Sequence, residues 1–308
     1  MNENKLLNTT LEILDKQGAE LAYNYLLQNQ NSVIVSNKSQ IYNFLYCLAA
    51  VTGKKEEALS WIEEAIIVNK YWYRPEVFDD SDLDILIGEE RFERCKSTSK
   101  ERYLTAKKTA ETICTWTNKS SNNIILALHG NQQNIQTSEI YWEFMKKNGY
   151  QVEYIQSCEL DSYELYRWED NGSGDCQLKN VCSEINWDNY DTRILAGFSS
   201  GCNVILKTIL ENKVVCDYIF LQSPWIPIIN EGLDIILETL KQKEIKILMI
   251  CGDCDEDCTP LAQRFHQKAI EKKININTIW IKGLSHDFPD NFQDIVNEYI
   301  NKKLNNFY

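Results

Sequence analysis

The sequence predicts an α/β fold, a mostly parallel sheet with helices on both faces, preceded by an all-α helical-hairpin domain. Three observations point there. From Asn122 onward, near-continuous apolar runs of strand length alternate with helical patterns, as expected of a parallel sheet covered on both sides. Up to about residue 118 the apolar residues recur at three- and four-residue steps instead, and no strong strand candidate stands out before Asn122. Finally, His129, Ser199, Asp255 and His286 each fall at or just past a predicted strand end, the edge where such sheets bind ligands. The expected division is 1–118, helical, and 119–308, sheet-bearing.

In the first region, Leu6, Leu7, Leu11, Ile13, Leu14, Leu21, Leu26 and Leu27 follow the spacing of an amphipathic helix. Ser36-Asn37-Lys38 is a plausible cap for a second helix through Ala50, Gly53 breaks it, and Glu56 to Val68 forms a third. The pair around Gly53 resembles one tetratricopeptide-type hairpin. Gly53, Ala58, Ile62 and Ala65 stand at the turn, small, large and small packing positions, but Lys70 replaces the closing proline. A repeat array is not expected, because about three copies are needed for stability. Trp72-Tyr73-Arg74-Pro75 reads as a closing element, and Asp79, Asp80, Asp82 and Asp84 as a solvated helix start rather than a metal site.

In the second region the strand candidates are Ile124–His129, Val152–Gln156, Thr192–Phe198, Tyr218–Gln222, Ile245–Cys251 and Ile274–Ile281. Helical patterns cover Ser138–Lys147, Ser199–Leu210, Gly232–Lys241, Pro260–Lys272 and about Asn291–Lys303. The 308 residues, 44% hydrophobic, can build a sizeable core. A net charge of −13 argues against nucleic-acid or anionic-membrane partners, which need basic surfaces. The N-terminus has no apolar stretch behind it long enough for a signal peptide, no run approaches the length of a membrane span, and the 11 cysteines are an odd number. Reduced thiols in a cytoplasmic protein are the expectation.

The reactive motif is Gly197-Phe198-Ser199-Ser200-Gly201, entered from an apolar strand and leaving into a helix. A serine on so sharp a turn needs tiny residues two before and two after it. Gly252-Asp253-Cys254-Asp255 and Gly283-Leu284-Ser285-His286-Asp287 end two later strands, giving the order Ser, Asp, His. With Leu128-His129-Gly130 and Asp287-Phe288-Pro289, these motifs make residues 122–305 resemble the α/β-hydrolase superfamily, near its phospholipase/carboxylesterase and dienelactone-hydrolase-like branches.

The resemblance implies Ser199 as nucleophile, His286 as base and Asp255 as the acid that orients it; Asp253 and Asp257 are the nearby alternatives for the acid. The oxyanion donors expected are the backbone N–H groups of Ser200 and Asn131. Gln132, Trp168 and Trp225 are expected to bind substrate. The aromatics between Cys158 and Asn189, which flank Asn171-Gly172-Ser173-Gly174, form either a lid or a satellite core. His129 reads as a packing residue of the oxyanion loop, His266 as solvated mid-helix and Cys202 as packed.

No metal and no cofactor is expected. Asp253-x-Asp255-x-Asp257 starts like a calcium loop, but Cys258 replaces the turn glycine and Arg264 the bidentate glutamate. Cys251, Cys254 and Cys258 have metal-like spacing, yet no fourth ligand stands nearby. The function expected is therefore a serine carboxylesterase acting on a small-molecule ester or thioester. A thioesterase, acyltransferase or peptidase using the same triad is the alternative. An adaptor with a vestigial hydrolase fold, binding a protein partner through its N-terminal helices, is the alternative of another class. The same helices could serve for homo-oligomerisation.

Overall fold

The computed structural model describes residues 3–33, 37–168, 173–211 and 214–303. Ser36, named above for a cap, and the pair Asn171-Gly172, named above between the candidate lid aromatics, lie outside the described residues. The chain divides into two compact units, one of Met1–Ala110 with Leu160–Leu165, the other of Glu111–Glu159 with Tyr166–Tyr308.

The first unit holds α1 (Glu3–Gln17), α2 (Ala19–Asn29), α3 (Ser39–Val51), α4 (Lys55–Glu63) and α5 (Glu90–Lys107). The leucine pattern expected to form one helix is split at Gly18, whose φ of 93° and N–H bonds to the Ile13 and Leu14 carbonyls close α1. Leu6 and Leu26 are nonetheless both fully buried, so the apolar stripe continues across the break. Asn37 Oδ1 accepts the Ser39 N–H (2.9 Å) at the start of α3. Ala58, Ile62 and Ala65 are fully buried, with α4 continuing as a π-helical turn over Glu64–Val68.

Tyr73 closes the unit beneath these helices. Its hydroxyl donates to the Ser39 carbonyl (2.7 Å), and its own N–H donates to Ser99 Oγ (2.8 Å). Asp80 caps the 3₁₀ turn Ser81–Leu86 by accepting the Asp82 N–H, and Asp79 pairs with Lys96. The acidic run thus starts a helical turn, as its spacing predicts.

The second unit is built on a seven-stranded sheet. Its strands are β1 (Ile113–Cys114), β2 (Asn123–Leu128), β3 (Gln151–Gln156), β6 (Thr192–Phe198), β7 (Tyr218–Gln222), β8 (Lys246–Gly252) and β9 (Ile276–Ile281). A separate two-stranded sheet pairs β4 (Glu159–Ser162), three of whose residues belong to the first unit, with β5 (Leu165–Arg167). The order is β1-β3-β2-β6-β7-β8-β9, parallel throughout except for β1. The two-residue strand β1 lies before Asn122, where the sequence offers no strong strand candidate. It is fastened by the buried Glu153, whose carboxylate accepts from Thr115 Oγ1 (3.0 Å) and the Thr117 N–H (3.0 Å).

Helices α6 (Ile135–Trp142), α7 (Ser173–Ser183), α8 (Ser200–Leu210), α9 (Ile229–Gln242), α10 (Thr259–Glu271) and α11 (Phe292–Lys303) complete the unit. Two apolar clusters flank the sheet. One gathers Leu126, Leu195, Ile205, Leu221, Met249 and Phe265, the other Ala127, Trp142, Ala196, Phe220, Ile250 and Val296. Neighbouring strand residues appear in opposite clusters, which is why these strands read as continuous apolar runs.

The chain runs from β2 outward to β3 and then returns to β6 on the other side of β2. That reversal opens a crevice at the carboxyl ends of β2 and β6, where open α/β sheets hold their ligands. Leu128 pairs with Gly197, so the loop after β2 leaves the sheet beside the serine turn.

Candidate active site

Ser199 sits between the last residue of β6 and the first of α8, at φ 52° and ψ −122°. A non-glycine residue at positive φ is uncommon, and here its N–H is held by the Gln222 carbonyl (3.0 Å) and its carbonyl by the Cys202 N–H (3.0 Å). The flanking glycines are required sterically. A Cβ on Gly197 would lie 2.8 Å from the Cys202 backbone nitrogen, and one on Gly201 2.6 Å from the His129 carbonyl oxygen. On the far side, a Cβ on Gly130 would fall 3.1 Å from Ser199 Cβ, so the β2 loop and the serine turn are in contact.

That loop is built as a rigid unit. Gln133 Oε1 accepts the Gly130 N–H (2.9 Å). His129 is fully buried, with Nε2 accepting the Ser157 N–H (3.1 Å) and Nδ1 against the Gly130 carbonyl (2.6 Å). An acceptor at Nε2 requires the proton on Nδ1, which then donates to Gly130. Burial depresses the His129 pKa to about 4, keeping the ring neutral. Asn131 Oδ1 accepts from both Ser200 Oγ (2.8 Å) and the Trp168 N–H (2.8 Å), tying the loop to the start of α8. The sequence reading missed Gln133 as an anchor; its place in the polar run after β2 was the available signal.

Trp168, expected to bind substrate, is instead 2% exposed, stacks on His129 (centroids 5.0 Å) and donates its indole N–H to the His129 carbonyl (2.8 Å). It braces the loop from within. Gln132 is exposed at φ 60°, and Trp225 is half-buried beyond the end of β7. Tyr163 packs in the core of the first unit, and Trp187 donates to the Cys182 carbonyl (3.0 Å) against the second core. These two aromatics therefore belong to cores. His266, expected to be solvated, instead contacts Thr278 Oγ1 on β9 (2.8 Å).

Asp255 lies three residues past β8, at 2% exposure, and its Oδ2 stands 2.8 Å from His286 Nδ1. Its other oxygen accepts the Cys258 N–H (3.1 Å), so both carboxylate oxygens have fixed partners. Asp253, the competing acid, accepts the Gly283 N–H (2.6 Å) through Oδ1 and shapes the turn after β9. The His286 loop is held from two sides. Gln222 Nε2 (2.8 Å) and Ser223 Oγ (3.2 Å) both donate to the Asp287 carbonyl. Phe288 stacks on Phe198 (centroids 4.7 Å), and the Phe198 ring also lies 4.9 Å from that of His286. The residue before Ser199 thus touches the histidine, and Gln222 binds the serine turn and the histidine loop at once.

Cys202 is buried with its thiol toward the Gly197 carbonyl (3.1 Å). All 11 cysteines are free. The Cys251, Cys254, Cys258 set is divided between buried and exposed positions. Among the described residues, the one group of potential metal donors is Asp255, Cys258 and His286. No helix of the described residues is long and apolar enough to cross a membrane.

A mostly parallel sheet with helices on both faces, a strained serine at a strand-to-helix turn and a histidine–aspartate pair at the same edge define an α/β hydrolase by architecture. Residues 2–107 match the model of an A/B hydrolase-like N-terminal domain. An uncharacterized protein of known structure from Bacillus cereus ATCC 10987 is 33% identical, over 98% of this chain and 99% of that one, with a TM-score of 0.56. The Bacillus cereus carboxylesterase is 14% identical over 65% of this chain and 98% of its own (TM-score 0.49), and acyl-protein thioesterase 2 of Zea mays 14% over 63% and 98% (TM-score 0.44). No curated protein matches the chain. The chain has an α/β-hydrolase-like fold, and its helical N-terminal region matches the A/B hydrolase-like N-terminal domain.

Proposed function

We propose that the protein is a serine hydrolase that cleaves carboxylic esters through an acyl-enzyme on Ser199. One observation carries this reading: Ser199 occupies a strained turn at φ 52°, while the one exposed-edge histidine beside that turn already has its Nδ1 bonded to a buried carboxylate. With Asp255 holding the proton on Nδ1, Nε2 is the ring nitrogen that accepts the serine proton during attack. The serine oxygen then attacks the acyl carbon, and the imidazolium returns the proton to the departing alkoxide. Water activated by the same nitrogen releases the acid.

The backbone N–H groups of Ser200 and Asn131 are the proposed oxyanion donors. The shared Asn131 Oδ1 supports this, since it locks the loop and the helix start together and so presets both groups before charge develops. Gln132 and Trp225 remain the proposed substrate contacts, with Trp168 as a brace. Turnover of short p-nitrophenyl esters and thioesters tests the reading. Ser199→Ala should lose about 10³-fold or more in kcat with its fold intact. Full turnover by that variant would remove Ser199 from the chemistry.

A further inference from the structure

We propose that the donor cluster of Asp255, Cys258 and His286 binds a thiophilic divalent cation, such as Zn²⁺, and that occupancy switches the active site off by relocating the imidazole proton. The switching half rests on the hydrolase reading above; the binding half does not. Asp255, Cys258 and His286 each offer one donor atom, and all three lie within 4.8 Å of one another. His286 Nδ1 stands 2.8 Å from Asp255 Oδ2 and 3.5 Å from Cys258 Sγ. Tetrahedral zinc with ordinary Zn–S and Zn–N bonds separates its sulfur and nitrogen ligands by about 3.6 Å. The sulfur–nitrogen pair already stands at that spacing. The nitrogen–oxygen pair must widen to about 3.4 Å, the change expected when a cation replaces a bridging proton.

The frame is built to hold such an ion. Asp255 and Cys258 flank the turn into α10, and the Cys258 N–H bond to Asp255 Oδ1 (3.1 Å) fixes one against the other. The histidine side chain is 36% exposed while the Asp255 side chain is 1% exposed, so of these two donors the histidine is the one that reaches solvent. A thiol beside an imidazole selects soft or borderline ions over Mg²⁺ or Ca²⁺. This ligand set differs from the three-cysteine spacing in the same loop. Cys251 is turned toward Thr259 and the Gly252 carbonyl, and Cys254 is exposed.

The binding step balances as follows. Burial and the Asp255 carboxylate raise the Cys258 pKa, so the thiol is protonated before the ion arrives. The cation takes the sulfur lone pair as that proton leaves to solvent, and one proton is released per ion. Nδ1 gives its lone pair to the metal, and its proton moves to Nε2, leaving a neutral ring. Nε2–H cannot accept the Ser199 proton. Substrate still enters, so kcat falls while KM is little changed.

Titration of the whole protein with Co²⁺ tests binding without reference to activity. A thiolate-to-cobalt charge-transfer band should saturate near one equivalent, persist in Ser199→Ala, and vanish in both Cys258→Ala and Cys258→Ser. A band that survives both cysteine variants, or no band in the folded wild type, overturns the proposal. In ester assays Zn²⁺ should lower wild-type kcat about 100-fold or more, reversibly with a chelator. The Cys258 variants should lose this sensitivity relative to their own zinc-free rates. Zinc inhibition undiminished in those variants would also overturn it. A cobalt band in a protein with no metal-free esterase activity would uphold the site and refute the hydrolase reading instead.

Discussion

Replacing Asp255 by asparagine is nearly isosteric, yet it should abolish most activity for a reason visible in the hydrogen bonds. Asp255 Oδ1 accepts the Cys258 N–H (3.1 Å), and Oδ2 faces His286 Nδ1 (2.8 Å). An asparagine there keeps its oxygen on the Cys258 N–H, which only an acceptor can satisfy. Its NH₂ group is then turned toward Nδ1. Two donors cannot face each other, so the imidazole proton moves to Nε2, the position that must be vacant for the serine proton. Wrong-tautomer arrangements of this kind cost about 10⁴ in kcat, or ~5 kcal/mol of transition-state stabilisation.

Asp253→Asn is the control. Its oxygen can still accept the Gly283 N–H (2.6 Å), so kcat should change by less than about fivefold. Steady-state ester hydrolysis on both variants, with near-ultraviolet circular dichroism to confirm packing, decides the matter. A mild Asp255→Asn phenotype, or a severe one for Asp253→Asn, would refute this assignment of the acid.

Three further outcomes follow from the same geometry. His129 should make folding acid-sensitive. Its folded pKa of about 4 lies below the ordinary 6.5, so the unfolded chain binds the extra proton between those values and stability is lost as pH falls through that window. Urea unfolding should show wild type losing about 3 kcal/mol more than His129→Gln between pH 7 and 4; equal losses would contradict the neutral buried ring. Asn131→Asp keeps the acceptor for Ser200 and Trp168 but places a negative charge beside the proposed oxyanion donors. It should cut kcat by about 100-fold with little change in Tm, and an unaffected kcat would move the oxyanion site elsewhere. Gly201→Ala should destabilise the fold by about 1–3 kcal/mol in chemical denaturation, because its Cβ would stand 2.6 Å from a backbone oxygen; unchanged stability would mean the turn can relax.

Much of the fold was legible because burial on both faces leaves a plain trace. β6 and β7 are apolar over most of their length, and the structure places them at Thr192–Phe198 and Tyr218–Gln222, where near-continuous apolar runs predict strands. What escaped notice has physical causes. β1 is two residues held at the sheet edge by the Thr115 hydroxyl and the Thr117 N–H on Glu153, a tertiary arrangement with no local apolar signal. α7 is short and starts within the Asn171-Gly172-Ser173-Gly174 stretch, where glycine masks the helical pattern, so no helix is assigned there from sequence. Trp168 carries the composition of a pocket wall, and only its bonds to His129 and Asn131 reveal a brace. The grip of Gln222 and Ser223 on the Asp287 carbonyl joins residues more than sixty positions apart, and no spacing rule reaches that far.

The central claim, that Ser199 is the activated nucleophile, is tested most directly by treating the intact protein with a fluorophosphonate and mapping the adduct by mass spectrometry. The account predicts one phosphonylated residue, Ser199, with labelling abolished in Ser199→Ala and strongly slowed in Asp255→Asn. A folded protein that takes no label while a known serine esterase does, or one labelled at another residue with Ser199 unmodified, would contradict it.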